Sequence, residues 1–188
     1  MGKNDKELNK VIVVGGGSFQ GKSLIALHVA YRFKIPLVIC TDSVRSILHI
    51  LQPEAPYFFT STYLMSQKNL ERQMDEVSKV LRELLNIYEK RGENVIIEGM
   101  HLSQEFIEYL SGKSNVLIFC IDNKLPLEKR LEYKSITRHR VEYLDLKTGN
   151  IKYGELTRNN LYLTPYVKHA NRIEEIHRQI VGYFLQRS

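Results

Sequence analysis

Residues 16–23, Gly16-x-x-x-x-Gly21-Lys22-Ser23, combine the groups that hold a chain of phosphates. Glycines let successive backbone N–H groups converge on phosphate oxygens, a lysine adds a mobile positive charge, and a hydroxyl offers a hard ligand to a divalent cation. Four apolar β-formers, Val11 to Val14, run into this stretch, and helix formers follow from Leu24. Strand, glycine-rich loop and helix in that order give the pattern physical meaning, because the helix N-terminus adds its positive dipole end at the same point. The stretch reads as a P-loop. Gly16, Gly17, Ser18, Phe19, Gln20, Gly21, Lys22, Ser23 and Leu24 are then the expected nucleotide contacts. Lys22 reaches the β- and γ-phosphates and Ser23 ligates Mg²⁺, so ATP and Mg²⁺ are the expected cofactors.

Further candidates stand at the ends of other apolar runs. Leu37–Cys40 leads to Asp42, with Arg45 one helical turn on. A carboxylate beside an acceptor hydroxyl can take its proton, and an arginine can grip a phosphate or carboxylate with two parallel hydrogen bonds. A plain helix cap is the competing reading of Asp42, and a surface residue that of Arg45. Asn94–Ile97 leads to Glu98-Gly99, followed by His101. An acid there suits the shell of a bound Mg²⁺, and His101 is either a substrate contact or a polar residue at a strand–helix junction. Arg130, Arg138 and Arg140 lie in and after a basic segment. As a group they suit a lid that brings positive charge over a transferring phosphoryl group, although each alone reads as a solvated face.

These residues need a frame that brings strand ends together. The predicted strands are 11–14, 37–40, 94–99 and 116–121, with helices at about 21–33, 44–51 (after the cap cluster Thr41-Asp42-Ser43), 65–91, 103–111, 124–138 and 167–186. Leu70, Met74, Val77, Leu81, Leu84 and Tyr88 fall on one face of the long helix, and Ile173, Ile176, Ile180 and Phe184 on one face of the last. Residues 57–65 read as a loop or helix entry, and 145–153 as a hairpin about Thr148-Gly149 or an ordered loop. Near-continuous apolar strands alternating with helices indicate a parallel sheet covered on both faces. The expected architecture is α/β: a three-layer P-loop NTPase or kinase fold, with a mostly parallel sheet of four or five strands.

At 188 residues the chain suits a single domain. Residues 1–9 read as a flexible segment and about 124–165 as a lid and variable region. No apolar run approaches the roughly 18 residues that span a bilayer, and the polar first ten residues show no secretory signal. Cys40 and Cys120, both at strand ends, read as buried free thiols, and a cytoplasmic setting fits. The net charge of +6 favours anionic partners, a small phosphorylated substrate or nucleic acid, without choosing between them. The oligomeric state is open.

Together, Gly15–Ser23, Cys40-Thr41-Asp42-Ser43-Val44-Arg45, Thr60-Ser61-Thr62-Tyr63, Ile97-Glu98-Gly99-Met100-His101-Leu102 and the late stretch Tyr166–Gln179 resemble the archaeal 2-phosphoglycerate kinase family. The likeness runs from Val11 to about Leu185. It implies ATP- and Mg²⁺-dependent phosphorylation of 2-phosphoglycerate to 2,3-bisphosphoglycerate. It also implies that Asp42 and Arg45 face the substrate, with Ser61, Tyr63 and His101 assisting. Proteins of this kind carry a fifth strand after the late helix; no apolar run follows here, so a sheet without it and looser adenine recognition are expected. Two other functions fit the residues: a nucleotide or polynucleotide 5′-kinase, and a nucleotide-binding regulatory module without phosphotransfer. The second draws on that expected missing strand.

Overall fold

The strand Val11–Gly15 (β1) is buried along its whole length, which explains why it has no polar face. In the computed structural model, which describes residues 9–17, 20–58, 65–121, 168–170 and 178, β1 lies at the centre of a five-stranded sheet. The remaining strands are Leu37–Cys40 (β2), Val95–Glu98 (β3), Val116–Ile121 (β4) and Lys168–Ala170 (β5), and the order is β2-β3-β1-β4-β5. Every pairing is parallel.

Alternation along the strands sorts the core into two layers. Val11, Val13, Val95, Ile97 and Ile118 face one side, where they meet the helices Thr41–Leu51 (α2), Gln67–Arg91 (α3) and Gln104–Ser111 (α4). Ile12, Val14, Ile96, Leu117 and Phe119 face the other, where they meet the helix Lys22–Phe33 (α1) through Ile25, Ala26 and Val29. The chain leaving β1 therefore turns onto one face and the chain leaving β3 onto the other. Adjacent strands whose connections part in this way open a crevice at their carboxyl ends, the usual ligand site of open α/β sheets.

The helices end where the local chemistry directs. Ser66 caps α3 by accepting from the Asn69 N–H, and Gly92 closes it with φ 70°. Ser103 caps α4 by accepting from the Phe106 N–H. The predicted stripe on α3 is confirmed: Leu70, Met74, Val77 and Leu81 are buried together with Leu85, while Leu84 and Tyr88 pack at its margin. Residues Pro56–Phe58 form a 3-10 turn.

Three expectations need correction. The cluster 41–43 does not precede α2 as a cap. The chain passes from β2 into the helix without a loop, so Thr41 is the first helical residue and Asp42 lies within the first turn. Asn9 is not loose: it is buried, and its carbonyl accepts from Asn115 Nδ2 at 2.7 Å. Residues 168–170, read as helix, form β5, with Cys120 paired to His169. Pairing covers the outer backbone edge of β4 at Phe119–Ile121. The sheet thus has five strands, within the expected four or five, and its fifth lies at the start of the predicted late helix. Arg178, in the same predicted helix, is helical. The predicted helix 124–138 and the 145–153 segment lie outside the described residues. No helix among those residues is long and apolar enough to cross a membrane.

Candidate active site

The carboxyl ends of β1, β2 and β3 lie side by side, with Glu98 in register with Val14 on one side and Cys40 on the other. That register brings the loop after β1, the start of α2 and the turn after β3 to one edge of the sheet.

The loop closes tightly on itself. Gly16 has φ +132°, and a Cβ there would lie 2.6 Å from the Ile121 carbonyl oxygen. Only glycine lets the loop pass so near the end of β4. No side chain caps α1. The first intrahelical bond is from the Ile25 N–H to Gly21 O, so the N–H groups of Lys22, Ser23 and Leu24 precede the helical ladder. They are the donors that an anion at a helix N-terminus uses. The Leu24 side chain is exposed, so only its backbone serves the loop. Lys22 Nζ donates to Gly17 O at 2.6 Å. Burial pushes its ammonium below the ordinary lysine value, against the pull of Glu98 and Asp42. Ser18 and Phe19 lie outside the described residues.

Ser23 Oγ donates to Glu98 Oε1 at 3.1 Å, joining the two expected magnesium ligands across the loop. Both are hard oxygen donors, and Mg²⁺ characteristically takes one or two protein oxygens with substrate phosphates and water completing the shell. The donor set fits the ion. Cys40 is half-buried beside it, and burial, reinforced by a hydrogen bond with Glu98, pushes its thiol up. A protonated thiol there is a neutral neighbour of the carboxylate, not a nucleophile. Cys120 is buried and forms no disulfide.

The acceptor side is built on a close contact that the sequence does not advertise. Gly99 has φ +146°, and a Cβ there would overlap the Thr41 side chain, 1.8 Å from its Oγ1. Thr41 is fully buried, and its Oγ1 accepts from the His101 backbone N–H at 3.4 Å and lies 3.3 Å from His101 Nδ1. The same Nδ1 lies 3.4 Å from Asp42 Oδ1, and Arg45 Nε approaches that oxygen at 3.9 Å. Arg45 Nε is buried with no hydrogen-bond partner among the described residues. The turn itself is fixed on α3: the Ser103 N–H donates to Ser78 Oγ at 2.9 Å, and Met100 packs on Leu70 and Met74.

His101 has no exposed surface, so it meets a substrate only through Asp42. Its pKa is pushed down to about 4, first by burial and then by Arg45 and Lys22, with Asp42 opposing. This carries a stability prediction. An unfolded chain protonates this ring near its ordinary 6.5, the folded chain only near 4, so between those values the unfolded state holds more protons. Stability is expected to fall as pH drops through that window, by up to about 3 kcal/mol from this residue. Urea denaturation of the wild type and of His101→Asn at pH 7 and 4.5 checks it; equal losses in both would show that another group is responsible.

Asp42, Arg45, Glu98, Lys22, Ser23 and His101 are thus brought together. Ser61, Tyr63, Arg130, Arg138 and Arg140 lie outside the described residues. Thr41 was missed; its buried hydroxyl, between a strand end and an acid, was the available signal. A separate cleft of about 580 Å³ opens between the 3-10 turn, α3 and α4. Its lining mixes three cations with four carboxylates, which gives it no preference for an anion.

No protein-family model matches the chain. It is 28% identical over 185 residues to a 2-phosphoglycerate kinase of Pyrococcus furiosus, covering 91% of this chain and 54% of that protein. It is 33% identical over 134 residues to a 2-phosphoglycerate kinase of Pyrococcus horikoshii, covering 64% of this chain and 44% of that one. The chain thus spans about half the length of these curated relatives. Among solved structures, a sugar kinase from a Janibacter species matches with TM-score 0.61 at 15% identity over 96% of both chains. A shikimate kinase from Acinetobacter baumannii, in complex with shikimate, matches with TM-score 0.52 at 16% identity over 96% of this chain and 95% of that one. These likenesses establish the P-loop kinase fold expected from the sequence.

Proposed function

We propose, from the premise that this chain is a divergent relative of the archaeal 2-phosphoglycerate kinases, that it transfers the γ-phosphoryl group of ATP to a hydroxyl of a small anionic metabolite. The acceptor we assign is 2-phosphoglycerate, with 2,3-bisphosphoglycerate as product. The observation that carries the reading is the meeting of Asp42 and Arg45 with the Lys22–Ser23–Glu98 cradle at one sheet edge. Lys22 senses both Glu98 and Asp42 electrostatically.

In this reading the P-loop amides and Lys22 hold the β- and γ-phosphates. Magnesium, when bound through Ser23 and Glu98, offsets phosphate charge. Arg45, whose buried Nε has a donor to offer, grips the anionic group of the acceptor. Asp42 accepts the proton of the acceptor hydroxyl as its oxygen bonds to phosphorus. The bond to the bridging oxygen breaks, and ADP leaves with that electron pair. Ser61 and Tyr63 assist at the acceptor, and Arg130, Arg138 and Arg140 supply the lid. Asp42 and Glu98 at the strand ends argue against a binding module without phosphotransfer.

The test is ³¹P NMR of purified protein with ATP, Mg²⁺ and 2-phosphoglycerate, in which a bisphosphate should appear. Asp42→Asn should retain nucleotide binding and lose about 10²- to 10⁴-fold in kcat. No transfer to any phosphorylated glycerate would remove the assigned acceptor; undiminished turnover by Asp42→Asn would remove the base.

A further inference from the structure

We propose that His101, held by Thr41 as a neutral ring with its proton on Nδ1, is the positioning residue that aims the Asp42 carboxylate at the acceptor hydroxyl. The proposal rests on the phosphotransfer reading above and assigns the buried part of that site.

The argument starts from packing. Gly99 has no side chain, so the turn after β3 closes onto Thr41, and the next residue but one, His101, arrives beneath the first turn of α2. Anchors on α3 hold it there: Ser78 takes the Ser103 N–H, and Leu70 and Met74 hold Met100. His101 Nδ1 then has two oxygens at nearly equal distance, Thr41 Oγ1 at 3.3 Å and Asp42 Oδ1 at 3.4 Å. Both are long for a single hydrogen bond, as when one proton is shared between two acceptors. An ionised carboxylate can only accept. A lone pair on Nδ1 would repel it, so the arrangement selects the tautomer with the proton on that nitrogen.

The charges around the ring favour the neutral form. Asp42 and Arg45 face it from α2 and Lys22 reaches it from α1, two cations against one carboxylate in a fully buried place. A neutral ring orients Asp42 through a dipole and leaves the carboxylate's charge intact for the proton it must receive. Position completes the case. His101 and Arg45 both approach Oδ1, while the Asp42 side chain as a whole is about two-thirds exposed. Anchoring one oxygen from below leaves Oδ2 turned towards the open side, where the acceptor would lie. Orientation of a reacting group by a buried partner is worth about 10- to 100-fold in comparable outer-shell positions.

The experiment has two arms. In the first, ¹⁵N NMR of the histidine rings in the free protein should show His101 neutral from pH 6 to 8 with its proton on Nδ1. A proton on Nε2, or titration near pH 6.5, would overturn the proposal. In the second, turnover of ATP and 2-phosphoglycerate is compared between His101→Asn, whose amide nitrogen can stand where Nδ1 stands, and His101→Leu. The asparagine should stay within about 5-fold of wild-type kcat, whereas the leucine should lose about 10²-fold in kcat with KM for ATP unchanged. Equal losses in both, or a loss confined to KM, would overturn it. If His101→Leu does not fold, Thr41→Val, which removes the hydroxyl and keeps the shape, should lose about tenfold in kcat; unchanged kcat would count against the proposal. The NMR arm needs no acceptor, so it decides the role of His101 even where 2-phosphoglycerate is not turned over.

Discussion

Lys22→Ala is expected to lower kcat for the proposed transfer by about 10³-fold while leaving the fold intact. The size follows from where the charge sits. Lys22 is the first residue of α1, its Nζ held 2.6 Å from Gly17 O, within reach of the fields of Glu98 and Asp42. Burial weakens the competition from water, so each unit of charge aimed at the phosphates counts for more than on a surface. Lys22→Arg should fail almost as badly, because a planar guanidinium does not fit the bend that brings the ammonium onto the loop carbonyl. Lys22→Met, which keeps the stem, should separate lost charge from lost packing by retaining the melting temperature without the activity. The measurement is kcat with saturating ATP and Mg²⁺ alongside thermal denaturation. Retention of more than a tenth of wild-type kcat would show that the loop is not the phosphate clamp assigned to it.

Gly99→Ala should destabilise the protein by about 3 kcal/mol or more, among the largest single effects in the molecule. Two costs combine. At φ +146° any side chain is strained, and the added methyl would lie 1.8 Å from Thr41 Oγ1 and 2.7 Å from its Cβ. Neither neighbour is free to yield: Thr41 is fully buried at the junction of β2 and α2, and the turn is pinned to α3. Thr41→Gly in the same chain should relieve the overlap but not the backbone strain. The double variant is therefore expected to regain only part of the loss over Gly99→Ala. Urea denaturation of the four proteins measures the coupling. Simple additivity would mean that the turn moves aside and that the contact with Thr41 is not what requires glycine.

The parts of this fold legible in the sequence are those set by neighbours along the chain. The P-loop could be read because strand, glycines, lysine and helix formers are contiguous. The α3 stripe could be read because a helix repeats its core positions every three or four residues. The acceptor side was only half legible. Asp42 and Arg45 share one helical turn and were found, but Thr41 and His101 meet across 60 residues, and neither type announces a buried contact. His101 was therefore left between substrate contact and junction residue, and burial decided it. The strand β5 was missed for a different reason. Lys168-His169-Ala170 has no apolar run, and its extended form comes from the neighbouring edge of β4, not from its own side chains.

The central place of β1 also bears on how the molecule comes to be made. Its Val11 pairs with Val95 on one side and with Val116 on the other. During synthesis this wholly buried strand emerges before the other described strands, yet both partners follow only after most of the described chain has been made. Pairings between residues so far apart carry a large loop-closure cost and form slowly. Until β3 and β4 arrive, Val11 to Val14 are an unpaired hydrophobic segment, the kind of stretch that chaperones guard in nascent chains. The strand that aims the phosphate loop is thus also the point at which the newborn protein is most exposed to misassembly.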